Sequence, residues 1–192
     1  MTALPPAVIL YGPPAAGKDT ITRALAELDA GFAQFQRLKV GSGKTDGYRM
    51  GSSEDLAELK KDGKVIYSNS RYGNVYVVDR PGLDELVAAG LTPVLHLGQV
   101  EGVQAVLDAY PARWTTVLLW CTREETKTRS AGRGDSDTEA RLAAWQATQD
   151  DVEDHPDQLW DLTVQTGDHS PAEAAQLIRK RVRAAFPAGN DS

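Results

Sequence analysis

The sequence predicts an α/β fold, a mostly parallel sheet covered by helices. Short apolar or β-branched runs at residues 7–10, 92–97, 115–121 and 162–165 are each followed by a helical pattern. The first run ends in a glycine-rich loop, after which Ile21, Leu25 and Leu28 recur at helical spacing. The length of 192 residues and a hydrophobic content of 41% suit one domain with a real core and an insertion.

Each element has its own signature. The run at 7–10 is continuously apolar, as in a strand buried on both faces. Helical patterns cover 100–108, 123–130, 137–152 and 171–185. Pro171 after Ser170 marks the start of the last one, and Pro81 opens another after Asp79-Arg80. Residues 33–80 break the rhythm with many glycines and short β-like runs at 64–67 and 75–78. They read as a small mixed insertion between core segments 1–32 and 81–187, with a frayed tail at 188–192. Asp150-Asp151 and Glu153-Asp154 read as a solvated acidic stretch, and Trp145 as a packing residue.

Composition narrows the function classes. A net charge of −6 argues against a broad nucleic-acid surface. The single cysteine, Cys121, lies in an apolar run, forms no internal disulfide and fits a reducing, cytoplasmic setting. No apolar stretch is long enough to span a membrane.

Gly12-Pro13-Pro14-Ala15-Ala16-Gly17-Lys18 carries the chemistry. Strand, glycine loop and helix is the context that makes this spacing a phosphate site. The loop amides point inward, the helix N-terminus adds positive partial charge, and Lys18 brings a point charge to a triphosphate. The next position usually carries the Ser or Thr that meets Mg²⁺, but here it is Asp19, followed by Thr20. Asp19 either contacts Mg²⁺, with Thr20 adding a hydroxyl, or only stabilises the helix N-terminus.

The chain resembles the guanylate-kinase branch of the nucleoside-monophosphate kinases over about residues 7–185. The matching segments are the loop above, Tyr48-Arg49-Met50-Gly51, Gly73-Asn74-Val75-Tyr76, Arg129-Ser130-Ala131-Gly132-Arg133-Gly134 and Arg141-Leu142. The resemblance implies a P-loop NTPase three-layer fold with a central parallel five-stranded sheet, a mixed acceptor-binding insertion and a lid at about 129–140. It also implies an ATP-dependent kinase using Mg²⁺, with a phosphorylated small molecule as acceptor and a monomeric or homodimeric state. Lys18, Arg129, Arg133 and Arg141 would be catalytic. Arg37, Lys39, Tyr48 and Tyr76 would hold the acceptor's phosphate.

The departures fall on the acceptor side. Tyr67 stands where the family's guanine-reading acid belongs, and Val78 replaces a serine. His96-Leu97-Gly98-Gln99 replaces an aspartate-bearing strand end, so His96, Gly98 and Gln99 join Tyr67 as candidate acceptor residues. These changes argue against GMP. Tyr48, Tyr76 and the retained insertion put another nucleoside monophosphate first. Asp19 and the 94–99 segment also resemble ribose 1,5-bisphosphate kinases, which keeps a sugar phosphate as an alternative. A non-catalytic binding module is a further alternative, although such domains erode the loop that is intact here. His96 sits at a strand's C-terminal end, either assisting an acceptor hydroxyl or serving as a satisfied buried histidine.

Overall fold

The computed structural model describes residues 4–43, 45–71, 73–132 and 138–185. Its central sheet has five parallel strands in the order β2-β7-β1-β8-β9. They are β1 (Pro6–Tyr11), β2 (Phe32–Gln34), β7 (Thr92–Leu97), β8 (Arg113–Trp120) and β9 (Leu162–Gln165). The four strands anticipated from the sequence are all present, and β2 is the fifth. Only three residues long, β2 lies partly inside the segment read as insertion and carries too little periodicity to stand out. It is fixed by parallel pairing of Phe32 with Thr92 and Gln34 with Val94.

β1 shows why helices cover both faces. Val8 and Leu10 join one core with Ile21, Leu25, Ile178 and Val182, from α1 (Lys18–Leu28) and α7 (Pro171–Ala184). Ile9 and Tyr11 join the other core with Leu83 of α3 (Arg80–Ala88) and Val103 and Val106 of α4 (Val100–Ala109). Adjacent residues point to opposite faces of a strand, so a continuous apolar run needs two covering layers. Truncating one of these wholly buried side chains, Leu10→Ala for example, costs about 2–5 kcal/mol.

The insertion is a separate four-stranded sheet in the order β4-β3-β6-β5. It comprises β3 (Leu38–Val40), β4 (Arg49–Gly51), β5 (Val65–Arg71) and β6 (Asn74–Asp79). α2 (Ser53–Lys61) packs on it through Leu56, against Leu38 and Val77. Ser52 and Asp55 close a capping box at the start of α2. Asp79 ends the insertion: it accepts from Gly82 N at 2.9 Å, capping α3, and pairs with Arg49. The Asp79-Pro81 stretch is therefore a salt-bridged helix entry.

After β8 come α5 (Arg123–Gly132) and α6 (Thr138–Asp154). The residues between them, including Arg133 and Gly134 of the anticipated lid, lie outside the described residues, as does the tail. Trp145 packs as the sequence suggested, its ring nitrogen donating to Cys121 O at 2.8 Å and its ring 5.6 Å from that of Trp120. No described helix is long and apolar enough to cross a membrane.

Candidate active site

The site lies beyond the C-terminal ends of β1, β7 and β8, where open parallel sheets place their ligands. Gly12 leaves β1 at φ 154°, and a Cβ there would come within 2.1 Å of Leu119 O. Only glycine lets the loop pass this close to β8. The loop then turns through Ala15, a non-glycine residue at φ 61°, into Gly17, the N-cap of α1. Lys18 folds back over the loop, donating to Gly12 O at 2.7 Å and Pro13 O at 3.0 Å. Burial of the ammonium pushes its pKa down to about 8.

The underside of the loop is pinned. Thr126 Oγ1 donates to Pro14 O at 3.2 Å, and the Cys121 thiol lies 3.2 Å from the same hydroxyl. Burial pushes the thiol pKa up, so Cys121 is a small core residue as the sequence suggested. Arg129 donates to Ala15 O at 3.0 Å and to Thr166 O at 2.8 Å. It borders a pocket of about 220 Å³ on the far side of the loop, with Thr20, Thr166 and Pro171. Arg129 is therefore not brought into the cleft with Lys18; the carbonyls of Ala15 and Thr166 hold its guanidinium.

Three adjoining clefts open above the loop. The first, about 390 Å³, brings Lys18, Asp19 and Thr20 together with Arg37, Tyr48, Arg71, His96, Gly98 and Arg141. The second, about 470 Å³, adds Tyr67, Asn69, Tyr76, Gln99 and Asp151. The third, about 530 Å³, runs between α1 and the β2–β3 connection, past Arg23, Gln34 and Gln36. Arg37 and Tyr48 border all three.

The acceptor candidates form one aromatic and cationic cluster. The rings of Tyr48 and Tyr76 lie 5.3 Å apart. The Arg37 guanidinium sits 5.2 Å from the Tyr76 centroid. Lys39 is 2% exposed and stands behind the rings, 5.6 and 5.8 Å from their centroids, donating to Ser42 O at 2.7 Å. Tyr67 donates to Gln99 Oε1 at 2.5 Å.

His96 sits at the donor end rather than with Tyr67 and Tyr76. Its Nε2 lies 2.7 Å from Thr22 Oγ1 and its Nδ1 3.3 Å from Asp19 Oδ1. Burial lowers its pKa, with Asp19 pulling the other way, so the ring is neutral near pH 7. Both nitrogens being engaged, it is a satisfied histidine that borders the cleft. The Asp19 side chain is 76% exposed beside Lys18. Asp19 and Thr20 are oxygen donors of the kind Mg²⁺ takes, so the residues fit that ion. The described residues contain no cluster of three or more His, Cys, Asp or Glu that could hold a metal by itself.

Several lining residues were not anticipated. Arg71 and Asn69 come from the end of β5, a strand whose exposed polar tip reads as a turn. Asp151 belongs to no solvated stretch. One of its oxygens accepts from Tyr11 OH at 2.6 Å and from Val100 N at 2.8 Å. On α6 it shares one face with Ala144, Ala147 and Thr148 at helical spacing, the face that lines the cleft.

Fold and loop together define a phosphate-loop kinase. The fold is similar to a guanylate kinase from Anaplasma phagocytophilum, with TM-score 0.65 and 18% identity over 96% of this chain and 88% of that one. It is also similar to a shikimate kinase from Acinetobacter baumannii solved in complex with shikimate, with TM-score 0.51 and 17% identity over 95% and 96% of the two chains. A comparison with curated proteins gives no match. The family model described as chloramphenicol phosphotransferase-like protein matches residues 6–183. The chain belongs to that family and is an ATP-dependent kinase that transfers a phosphoryl group to a small molecule. The guanylate-kinase resemblance is thus one of fold, within a differently described family.

Proposed function

We propose that the protein transfers the γ-phosphoryl group of ATP to an acceptor that already carries a phosphate, in the first instance a nucleoside monophosphate. The supporting observation is the cluster of Arg37, Lys39, Tyr48 and Tyr76 beside the loop. Arg37 and Tyr48 border all three clefts and Tyr76 the second, so a guanidinium and two phenols can meet a phosphate dianion, with Lys39 adding charge from behind the rings. Chloramphenicol, the compound in the family's description, is an alcohol without phosphate and leaves that charge unanswered.

In this reading the loop amides and Lys18 hold the donor phosphates. Asp19 and Thr20 would hold Mg²⁺, which when bound neutralises phosphate charge. An acceptor phosphate oxygen, already ionised, attacks the γ-phosphorus as the bond to the β-bridging oxygen breaks, and ADP leaves. No side chain needs to remove a proton. Arg37 and Arg141 border the same cleft and would offset the developing charge. Arg133 would add its charge to theirs. Arg129 would act indirectly, by fixing the loop.

Arg71 also borders the first two clefts and favours a second reading, a sugar bisphosphate whose second phosphate it meets. A coupled ADP-release assay across nucleoside monophosphates, pentose phosphates and chloramphenicol decides between these acceptors. Turnover of chloramphenicol alone would overturn the proposal.

A further inference from the structure

Two amides stand along the second cleft, Asn69 on β5 and Gln99 at the N-cap of α4. Each has its oxygen engaged by a neighbour: Tyr67 donates to Gln99 Oε1 at 2.5 Å, and Arg37 donates to Asn69 Oδ1 at 3.4 Å. A side-chain amide offers one acceptor oxygen and an N–H₂ with two donors. With the oxygens engaged, the N–H₂ group is what each amide presents to a ligand.

The tyrosine is held in place. Its ring lies flat on the first turn of α4, where a Cβ at Gly102 would come within 2.7 Å of it. Burial pushes the pKa of its hydroxyl up, so the hydroxyl keeps its proton and donates. The carboxylate bordering the cleft, Asp151, has one oxygen bound to Tyr11 and Val100, while His155 Nδ1 lies 2.7 Å from the Asp151 backbone carbonyl and leaves Oδ1 as an acceptor. The Thr148 hydroxyl donates to Ala144 O at 2.9 Å. The donors thus stand on the β5 and α4 side of the cleft, with Asn69 and Gln99, while Asp151 and the Thr148 hydroxyl, its proton spent, are acceptors on α6.

We infer that this end of the cleft selects an acceptor that presents hydrogen-bond-accepting oxygens rather than an amino group. The carbonyl edge of a dioxopyrimidine nucleotide meets that requirement, and so do the oxygens of a second phosphate. The inference rests on the reading of this cleft as the acceptor site.

UMP and CMP differ at one ring position by a carbonyl against an amino group, which isolates the effect. The full chain with Mg-ATP is assayed for ADP release, and acceptor binding is measured by calorimetry, with UMP, CMP, GMP and a pentose 1,5-bisphosphate. UMP or the bisphosphate is expected to exceed CMP and GMP by about tenfold or more, the effect of leaving a donor unmatched. Gln99→Glu and Asn69→Asp keep the oxygens that Tyr67 and Arg37 bind but replace the N–H₂ by a second oxygen. They are expected to erase that preference while leaving the KM for ATP unchanged.

Gln99→Met, which adds no charge and cannot donate, is expected to do the same and serves if the glutamate variant does not fold. Loss confined to UMP identifies the carbonyl edge as the recognised group; loss confined to the bisphosphate identifies the second phosphate. Wild-type preference for CMP or GMP overturns the inference, as does an unchanged preference in the folded variants, and either result leaves phosphorylated acceptors in place. If no phosphorylated acceptor binds or reacts, the assignment of the cleft fails, and the inference with it.

Discussion

The ammonium of Lys18 lies 2.7 Å from the carbonyl oxygen of Gly12, six residues back along the same loop. Buried against its own backbone, the lysine has a pKa of about 8 rather than 10.5. The folded chain therefore binds this proton less tightly than the unfolded chain. The cost in stability is full below about pH 8 and fades between there and 10.5, as the unfolded lysine also loses its charge. Lys18→Met is expected to raise the melting temperature at pH 7, with a gain that shrinks as the pH approaches 10.5. The same variant should lose ATP affinity by about 10²-fold or more, read by calorimetry.

Arg129 serves the loop as a brace. Arg129→Ala leaves the carbonyls of Ala15 and Thr166 without their donor. The expected cost is about 1–3 kcal/mol in urea unfolding. The KM for ATP should rise and the KM for the acceptor stay the same. A changed acceptor KM with an unchanged ATP KM would place the residue in the other half of the site.

Asp79 is 1% exposed and is paired with Arg49 across the junction of insertion and core. Removing the arginine alone strands a buried carboxylate, so Arg49→Met is expected to cost about 3–5 kcal/mol. The double variant Arg49→Met/Asp79→Asn should recover part of that loss, since an asparagine can still accept from Gly82 N. A double-mutant cycle in chemical denaturation measures the coupling.

His96 gives a slope at acid pH. Burial holds its pKa below the ordinary value of 6.5, so the unfolded chain takes up the proton first. Its contribution is complete above 6.5 and is lost as the pH falls through the folded-state value. His96→Gln should flatten the decline in stability as the pH falls below 6.5. An unchanged slope would assign the decline to carboxylates.

The sequence carried the strongly periodic parts of this molecule. The run of Val8 to Tyr11 and the loop after it were legible because a strand buried on both faces is continuously apolar, and a phosphate loop needs its glycines at fixed places. β2 was not legible: three residues hold no period, and only pairing with β7 makes them a strand. Arg37, Tyr48 and Tyr76 were found through resemblance, and they do meet. Asp151 was misread because its partners, Tyr11 and Val100, lie 140 and 51 residues away, a separation no local pattern reports. Arg129 has the residue type expected of a phosphate contact, but its neighbours decide which oxygens it meets: the Ala15 and Thr166 carbonyls, the Thr166 hydroxyl and, at 3.7 Å, the Glu125 carboxylate.

Asp151 fixes the C-terminal half of α6 to the strand that delivers the phosphate loop and to the first turn of α4. Arg141 stands ten residues earlier on the same helix, roughly 15 Å along the axis. Trp145 ties the same helix to Cys121 O at 2.8 Å, and Leu142 is buried next to Arg141. A helix pinned at two points cannot swing about either. The reach of Arg141 into the cleft is therefore set by its own side-chain rotamers, on a backbone that stays where the two anchors hold it.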